Sequence, residues 1–360
     1  MSRQARALIN LDAIRANYRL ARSQSPESRA VAIVKADAYG HGAVPVARAL
    51  EPEVEAFGVA CIEEALELRE GGVKAPVLLL EGFFQPDELQ QCIELNFWTA
   101  LHSEFQIDAI AALPESANLT VWLKMDSGMH RLGILPENYR AAYERLKALP
   151  QVADVVLMSH FACADELDND FTVKQIARFQ EVTTGLDAPV SLANSPATLG
   201  WPGAHQDILR PGLMLYGASP YEIAHAEAAK LKPAMSLLSE VIAVREIEAG
   251  ESVGYAASWT AEKVSKVGTV AMGYGDGYPR HARSGTPVLV DGHRTCIIGR
   301  VSMDMITVDL TGLPDVDVGS TVEFFGENLS VNEVAPYADT IPYTMITCIT
   351  GRIPRIYSEE

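Results

Sequence analysis

Apolar residues follow two rhythms along the chain, and the change falls near residue 231. From residue 30 to about 216, short unbroken apolar runs alternate with stretches whose apolar positions recur every three or four residues. A run such as Ala30-Val31-Ala32-Ile33-Val34 reads as a strand covered on both faces, the pattern of a parallel sheet. The pattern predicts strands at 31–35, 57–60, 77–81, 98–101, 119–125, 155–160, 190–194 and 208–216, with helices such as 62–70, 86–95 and 136–149 between them. Eight βα units predict an α/β fold, a closed (β/α)8 barrel of TIM type; an open doubly wound sheet shares the same alternation. Chemistry favours the barrel. Lys35, Lys124, His160 and Asn194 all fall at the C-terminal ends of their predicted strands, where barrels build active sites.

After Lys232-Pro233 the helical periodicity fades. Short Val/Ile/Thr-rich runs follow at 237–244, 264–272, 286–290, 295–298 and 321–325, separated by Gly, Pro and Asp. Strands this close together predict a mainly-β C-terminal domain. The expected division is therefore a barrel domain over 1–230 and a β-strand domain over 231–360. The run Arg6-Ala7-Leu8-Ile9-Asn10 is left over once eight barrel strands are assigned, and is expected to pair with the β domain. Asp12 is expected to cap a helix over 13–23.

Composition then narrows the partners. A chain of 360 residues is long enough for a barrel plus a second unit, and 48% hydrophobic with 21% charged residues is an ordinary globular balance. The formal charge of −18 works against nucleic acid or an anionic membrane as a partner. No run approaches the ~20 apolar residues of a membrane helix, and the basic N-terminus leads into no apolar signal core, so a cytoplasmic location is expected. The five cysteines are scattered without a C-x-x-C pair, which indicates neither a disulfide framework nor a zinc site, and no metal is expected.

The residue that changes the picture is Lys35, in Val34-Lys35-Ala36-Asp37-Ala38-Tyr39-Gly40-His41-Gly42. An amine at the mouth of a buried strand is desolvated, its pKa falls, and the nucleophilic neutral form becomes accessible, as Schiff-base chemistry requires. The glycines behind it allow backbone amides to approach an anion. A lysine snorkelling from a strand end is the bland alternative.

This segment resembles the pyridoxal-phosphate attachment signature of the alanine racemases (PLP-dependent, fold type III). Eight further places resemble that family in order: 123–133 (LKMDSGMHRLG), 159–166, Ala193-Asn194-Ser195, Leu209-Arg210-Pro211-Gly212, Val253-Gly254-Tyr255, Gly273-Tyr274-Gly275-Asp276-Gly277, Gly299–Asp304, and finally Ile341-Pro342-Tyr343. The resemblance thus covers nearly the whole chain. It implies PLP on Lys35, with Tyr39, Ser195, Gly212, Leu213 and Tyr343 around the phosphate, and with His160 and Asn194 also in the cofactor site. Arg210 would face the pyridine nitrogen. A guanidinium has no proton to spare there, so the electron sink stays weak and racemisation is favoured over transamination.

Racemisation needs a proton donor or acceptor on each face of a planar intermediate. The resemblance gives one face to Lys35 and the other to Tyr255. A phenol is a weak base by itself, and the resemblance links Tyr255 by hydrogen bonds to His160 and Arg210, whose positive charge would favour the phenolate. The family often has glycine after this tyrosine; this chain has Ala256. Lys124 would be a buried cation beside Arg131, and the resemblance implies a carbamate on Lys124, with Arg131 reaching the cofactor and the substrate carboxylate. Met303, Asp304 and Tyr274 are implied to meet the substrate from the partner subunit, in a homodimer with shared sites. The expected function is interconversion of L- and D-alanine, for peptidoglycan or for alanine catabolism. A broad-specificity amino-acid racemase is the alternative; that family tends to be exported, and no signal peptide is seen. A PLP-carrier protein would not need the β domain or Tyr255, and a PLP decarboxylase of basic amino acids would want an acid where Arg210 stands.

Overall fold

The computed structural model describes residues 3–358; the outermost residues of the two expected domains, 1–2 and 359–360, lie outside the described residues. Strand β1 (Arg6–Asn10) is followed by eight strands of one parallel sheet: β2 (Arg29–Ile33), β3 (Ala56–Val59), β4 (Val77–Leu79), β5 (Phe97–Leu101), β6 (Leu119–Lys124), β7 (Val152–Met158), β8 (Val190–Ser191) and β9 (Ile208–Leu209). Their order is β8-β7-β6-β5-β4-β3-β2-β9. The sheet closes where Arg210 N donates to Ala193 O at 2.8 Å and Ser191 Oγ donates to Ile208 O at 2.7 Å. The continuous apolar runs are the reason for the closure: β3 and β4 are buried at every position and β2 at all but the first, so neither face of these strands tolerates solvent. The expected eighth strand is much shorter than 208–216. Pro211 cannot donate to a ladder, Gly212 leaves the extended region (φ −121°, ψ −97°), and Leu213–Tyr216 form a 3-10 turn.

The second unit is antiparallel except at one edge. Strand β10 (Met235–Ile247) is followed by a two-stranded ribbon, β11 (Ser252–Val253) and β12 (Trp259–Thr260), and then by β13 (Ser265–Val270), β14 (Pro287–Val290), β15 (His293–Cys296), β16 (Ile306–Asp309), β17 (Thr321–Phe325) and β18 (Arg355–Ser358). The main path runs β15-β14-β17-β10-β1-β18, with β13 paired to β10 and β16 paired to β13. The leftover N-terminal run does join this sheet: β1 pairs antiparallel with β10 and parallel with β18. The helix cap differs from expectation. Asn10 caps the helix Leu11–Gln24, its side-chain oxygen accepting from Ala13 N at 2.8 Å, because the extended backbone of β1 ends at that residue. Asp12 sits inside the first turn, where its charge suits the helix dipole, and pairs with Arg15 at 2.5 Å.

Candidate active site

Beyond β2 the backbone does something the sequence does not announce. Ala36, Asp37, Ala38 and Tyr39 are all left-handed, with φ between 51° and 54°, and Gly40 continues at φ 81°. Left-handed helical geometry costs an L-residue about 1–2 kcal/mol, so four in a row require roughly 4–8 kcal/mol of compensation. Packing and hydrogen bonds supply it. Asp37 Oδ1 accepts from Ala43 N at 2.7 Å, Asp37 O accepts from Gly42 N at 2.9 Å, and Arg355 Nε donates to Gly40 O at 3.1 Å. The Tyr39 ring stacks on Tyr216 with centroids 4.8 Å apart. The turn carries Lys35 into the barrel mouth and swings Tyr39 back under the chain.

Positive charge crowds that mouth. Burial, with help from Arg131 and against Glu81, pulls the Lys35 amine below its ordinary pKa. Lys124, 7% exposed at the end of β6, is pulled down to about 8 by burial first and then by Arg210, Arg131 and Lys35. Arg210, 4% exposed, is brought to about 10 by burial. Its Nη1 donates to Ser191 Oγ at 2.6 Å, and Nη2 to the carbonyls of Ser159 at 2.7 Å and Leu192 at 3.3 Å. All these partners are neutral. His160 is driven well below its ordinary range by burial and then by Arg210 and Lys124, so its ring is neutral at physiological pH. That corrects the expectation that both His160 and Arg210 bring positive charge; only Arg210 does. Arg131 is exposed, on a loop held by Asp126, whose Oδ1 accepts from the amides of Gly128 and His130 at 3.0 Å each.

Beside the mouth is a cradle of backbone donors. Asn194 caps the short helix Ser195–Gly200, accepting from Ala197 N at 3.2 Å, and so orients Ser195. The amides of Gly212 and Met214 both point at Ser195 Oγ, at 2.8 and 3.2 Å, with Leu213 buried between them. A Cβ on Gly212 would stand 2.7 Å from Tyr39 Oη, so only glycine lets the tyrosine hydroxyl reach over this backbone. Tyr343, from the helix Pro342–Thr347 of the β unit, closes the other side with its ring 6.0 Å from that of Tyr39, and burial pushes its hydroxyl up to about 12.

The remaining expected residues lie elsewhere. Tyr255, between β11 and β12, is 70% exposed, and Met303 is 53% exposed. Tyr274 and Asp304 are also exposed, Asp304 pairing with Arg352 at 2.7 Å. Among the described residues no hydrogen bond joins Tyr255 to His160 or Arg210. Ala256 takes a left-handed conformation, φ 63°, where glycine would be unstrained.

Family models agree with this layout. One described as alanine racemase, N-terminal domain, matches residues 9–220, and one described as alanine racemase, C-terminal domain, matches residues 234–357. The chain belongs to the alanine racemase family. Membership makes it an isomerase, an amino-acid racemase with a TIM-type barrel. Over 358 residues it is 58% identical to the catabolic alanine racemase of Pseudomonas putida, covering 99% of this chain and 100% of that one. It is 53% identical over 356 residues to the catabolic alanine racemase of Pseudomonas aeruginosa, covering 99% of each. The crystal structure of biosynthetic alanine racemase from Pseudomonas aeruginosa superposes with a TM-score of 0.96 at 48% identity, covering 99% of this chain and 100% of that one.

Two acidic residues of the alanine racemase mouth escaped the sequence reading. Glu81 lies two residues past β4 and opposes the charge of both Lys35 and Lys124. Glu64 sits in the first turn of the helix Ile62–Glu70 and hydrogen-bonds the amide next to Lys35. Each lies within a few residues of a barrel strand's C-terminal end, and that position was the available signal.

Proposed function

We propose that this protein interconverts L- and D-alanine on pyridoxal 5'-phosphate held by Lys35, as a homodimer in which each site takes residues from both subunits. The observation that carries the reading is Arg210: a buried guanidinium just past β9, paired with no carboxylate among the described residues, in the company of Lys35, Lys124 and His160. No helix among the described residues is long and apolar enough to cross a membrane.

The donor set fits such a cofactor. The mouth gathers Lys35, Lys124, Arg131 and Arg210 against two carboxylates, Glu64 and Glu81, an excess of positive charge that suits an anionic ligand. The Ser195 hydroxyl, whose oxygen the Gly212 and Met214 amides hold while its proton stays free to donate, and the hydroxyls of Tyr39 and Tyr343 suit its phosphate. When bound, the cofactor supplies an electron sink that makes the substrate's α-proton removable. Arg210, at about 10, keeps its protons at neutral pH and donates a hydrogen bond without giving up a proton, which is the property that favours racemisation over transamination. Lys35, with its pKa lowered by burial, can take or return the α-proton on one face. Tyr255 of the second copy serves the opposite face, and Met303, Asp304 and Tyr274 of that copy border the substrate. A carbamate on Lys124 would exchange a disfavoured cation for an anion beside Arg131; the neutral amine, which Lys124 at about 8 supplies, attacks carbon dioxide and releases one proton to solvent as the carbamate forms.

Incubating the holoenzyme with a panel of L-amino acids, followed by chiral chromatography, tests the reading. D-Alanine should form rapidly and other D-amino acids slowly. Comparable rates across the panel would favour a broad-specificity racemase, and no D-alanine from PLP-saturated protein would overturn the proposal.

A further inference from the structure

The carboxylate of Glu64 is used twice, and only one use belongs to its own helix. Oε2 accepts from Ala60 N at 2.7 Å, as a glutamate in a first turn does when it reaches back to an amide ahead of the helix. Oε1 crosses to the neighbouring barrel unit and accepts the N–H of Ala36 at 2.7 Å. That nitrogen belongs to the peptide directly after Lys35, and Ala36 is the first residue of the left-handed turn. Ala60 directly follows β3, the strand that pairs with β2 beneath Lys35. One carboxylate therefore ties together the two places where adjacent strands leave the barrel.

We propose that Glu64 is a positioning residue for Lys35, holding the peptide plane after it and so aiming its amine; the inference rests on the reading of Lys35 as the cofactor lysine. The charge-assisted hydrogen bond to Ala36 N, and the second one that anchors the same carboxylate on Ala60 N, together define that plane more firmly than water would. They also hold the entrance to a strained turn, where backbone rotation relieves strain and displaces Nζ at the end of a long side chain. Ala36 is exposed, so water replaces the lost acceptor at little expense in stability. Direction is lost instead. Asp37 cannot substitute, since its Oδ1 is engaged by Ala43 N at the far end of the turn.

The test uses Glu64→Gln and Glu64→Asp in the full chain, first without cofactor. Glutamine has one carbonyl oxygen, and its amide nitrogen would face a peptide N–H, so a single tie survives. Aspartate keeps the charge but is one methylene too short to span both amides. Hydrogen exchange of the peptide covering Ala36 should accelerate by ~10-fold in both variants, with the melting temperature near wild type. With PLP added, cofactor affinity should fall ~10-fold, and kcat per bound cofactor ~10–100-fold with KM changed by less than ~3-fold. A role confined to capping its own helix gives the opposite pattern: a lower melting temperature, with exchange at Ala36 and kcat per bound cofactor unchanged. That pattern in either variant overturns the proposal. The exchange measurement needs no cofactor, so failure of the wild-type protein to bind PLP would sink the proposed function without deciding the role of Glu64.

Discussion

At the barrel mouth, Lys124 and Arg210 are 7% and 4% exposed, Lys124 under the charge of Arg210 and Arg210 pinned by hydrogen bonds within the same chain. In the β unit, Tyr255 and Met303 are 70% and 53% exposed, on short segments between strands. Both regions carry residues of the expected chemistry, yet one is built as a finished site and the other as a surface. Tyr343 sharpens the contrast, since it belongs to the β unit and packs beside Tyr39 of its own barrel. Connection to the β unit is therefore not what exposes Tyr255. The contrast teaches that the mouth is assembled within one chain, whereas Tyr255 and Met303 stand open on the surface, where the proposed second copy would meet them.

The largest expected effect comes from emptying the mouth of its amine. Lys35→Ala should lower alanine racemisation by at least ~10⁴-fold and abolish borohydride trapping of PLP on the protein. Mass spectrometry of the reduced protein reads the trapping, and an adduct still formed at wild-type yield would place the cofactor lysine elsewhere. Next, Tyr255→Phe should reduce racemisation by ~10²–10⁴-fold while leaving PLP affinity within ~3-fold of wild type. Mixing Lys35→Ala with Tyr255→Phe subunits should restore a substantial fraction of activity, because one site in each mixed dimer then has both groups. Verified mixed dimers as inactive as their parents would erase the distinction between the finished site and the waiting surface.

A smaller effect concerns the charge stored in the mouth. The unfolded chain binds Lys124's proton up to pH 10.5, and the folded apoprotein only up to about 8. Stability therefore rises with pH across that window, and the full penalty applies below it. At 1.36 kcal/mol per unit, 10.5 − 8 corresponds to about 3 kcal/mol. Lys124→Met should stabilise the cofactor-free protein by roughly 1–3 kcal/mol at pH 7, and by progressively less towards pH 10.5, as read by urea unfolding. A destabilised variant at pH 7 would show that Lys124 is not an uncompensated cation. Intact mass in bicarbonate buffer would detect its carbamate. The smallest effect is expected on the exposed side: Ala256→Gly should relieve the left-handed strain and gain about 0.5–1 kcal/mol after the entropy of glycine is subtracted. A lower melting temperature would argue that the alanine methyl packs usefully beside Tyr255.

Lys35 and Lys124 were legible in the chain because each closes an apolar run, and a run buried on both faces has one way to end in a barrel; Arg210 and Ser195 were legible only through their resemblance to family motifs. The extent of β9 was not legible, since Leu213–Tyr216 is as apolar as a strand and only the backbone at Pro211-Gly212 turns it aside. The neutral state of His160 escaped as well. It depends on the summed charge of Arg210, Lys124, Arg131 and Lys35, which converge only when the sheet closes.

By itself the sequence determined the two-part architecture, the order of strands and the residue types at the strand ends, because burial on two faces and the spacing of turns are local properties written in side-chain polarity. Tertiary structure decided the rest. The left-handed turn behind Lys35 exists because Asp37, Tyr216 and Arg355, distant in the chain, together offset a conformation no isolated segment would adopt. The double use of Glu64 needed β2 and β3 side by side. The joining of β1 to β10 and β18, strands that pair across hundreds of residues, is likewise a long-range balance of pairing and burial that no window of sequence contains.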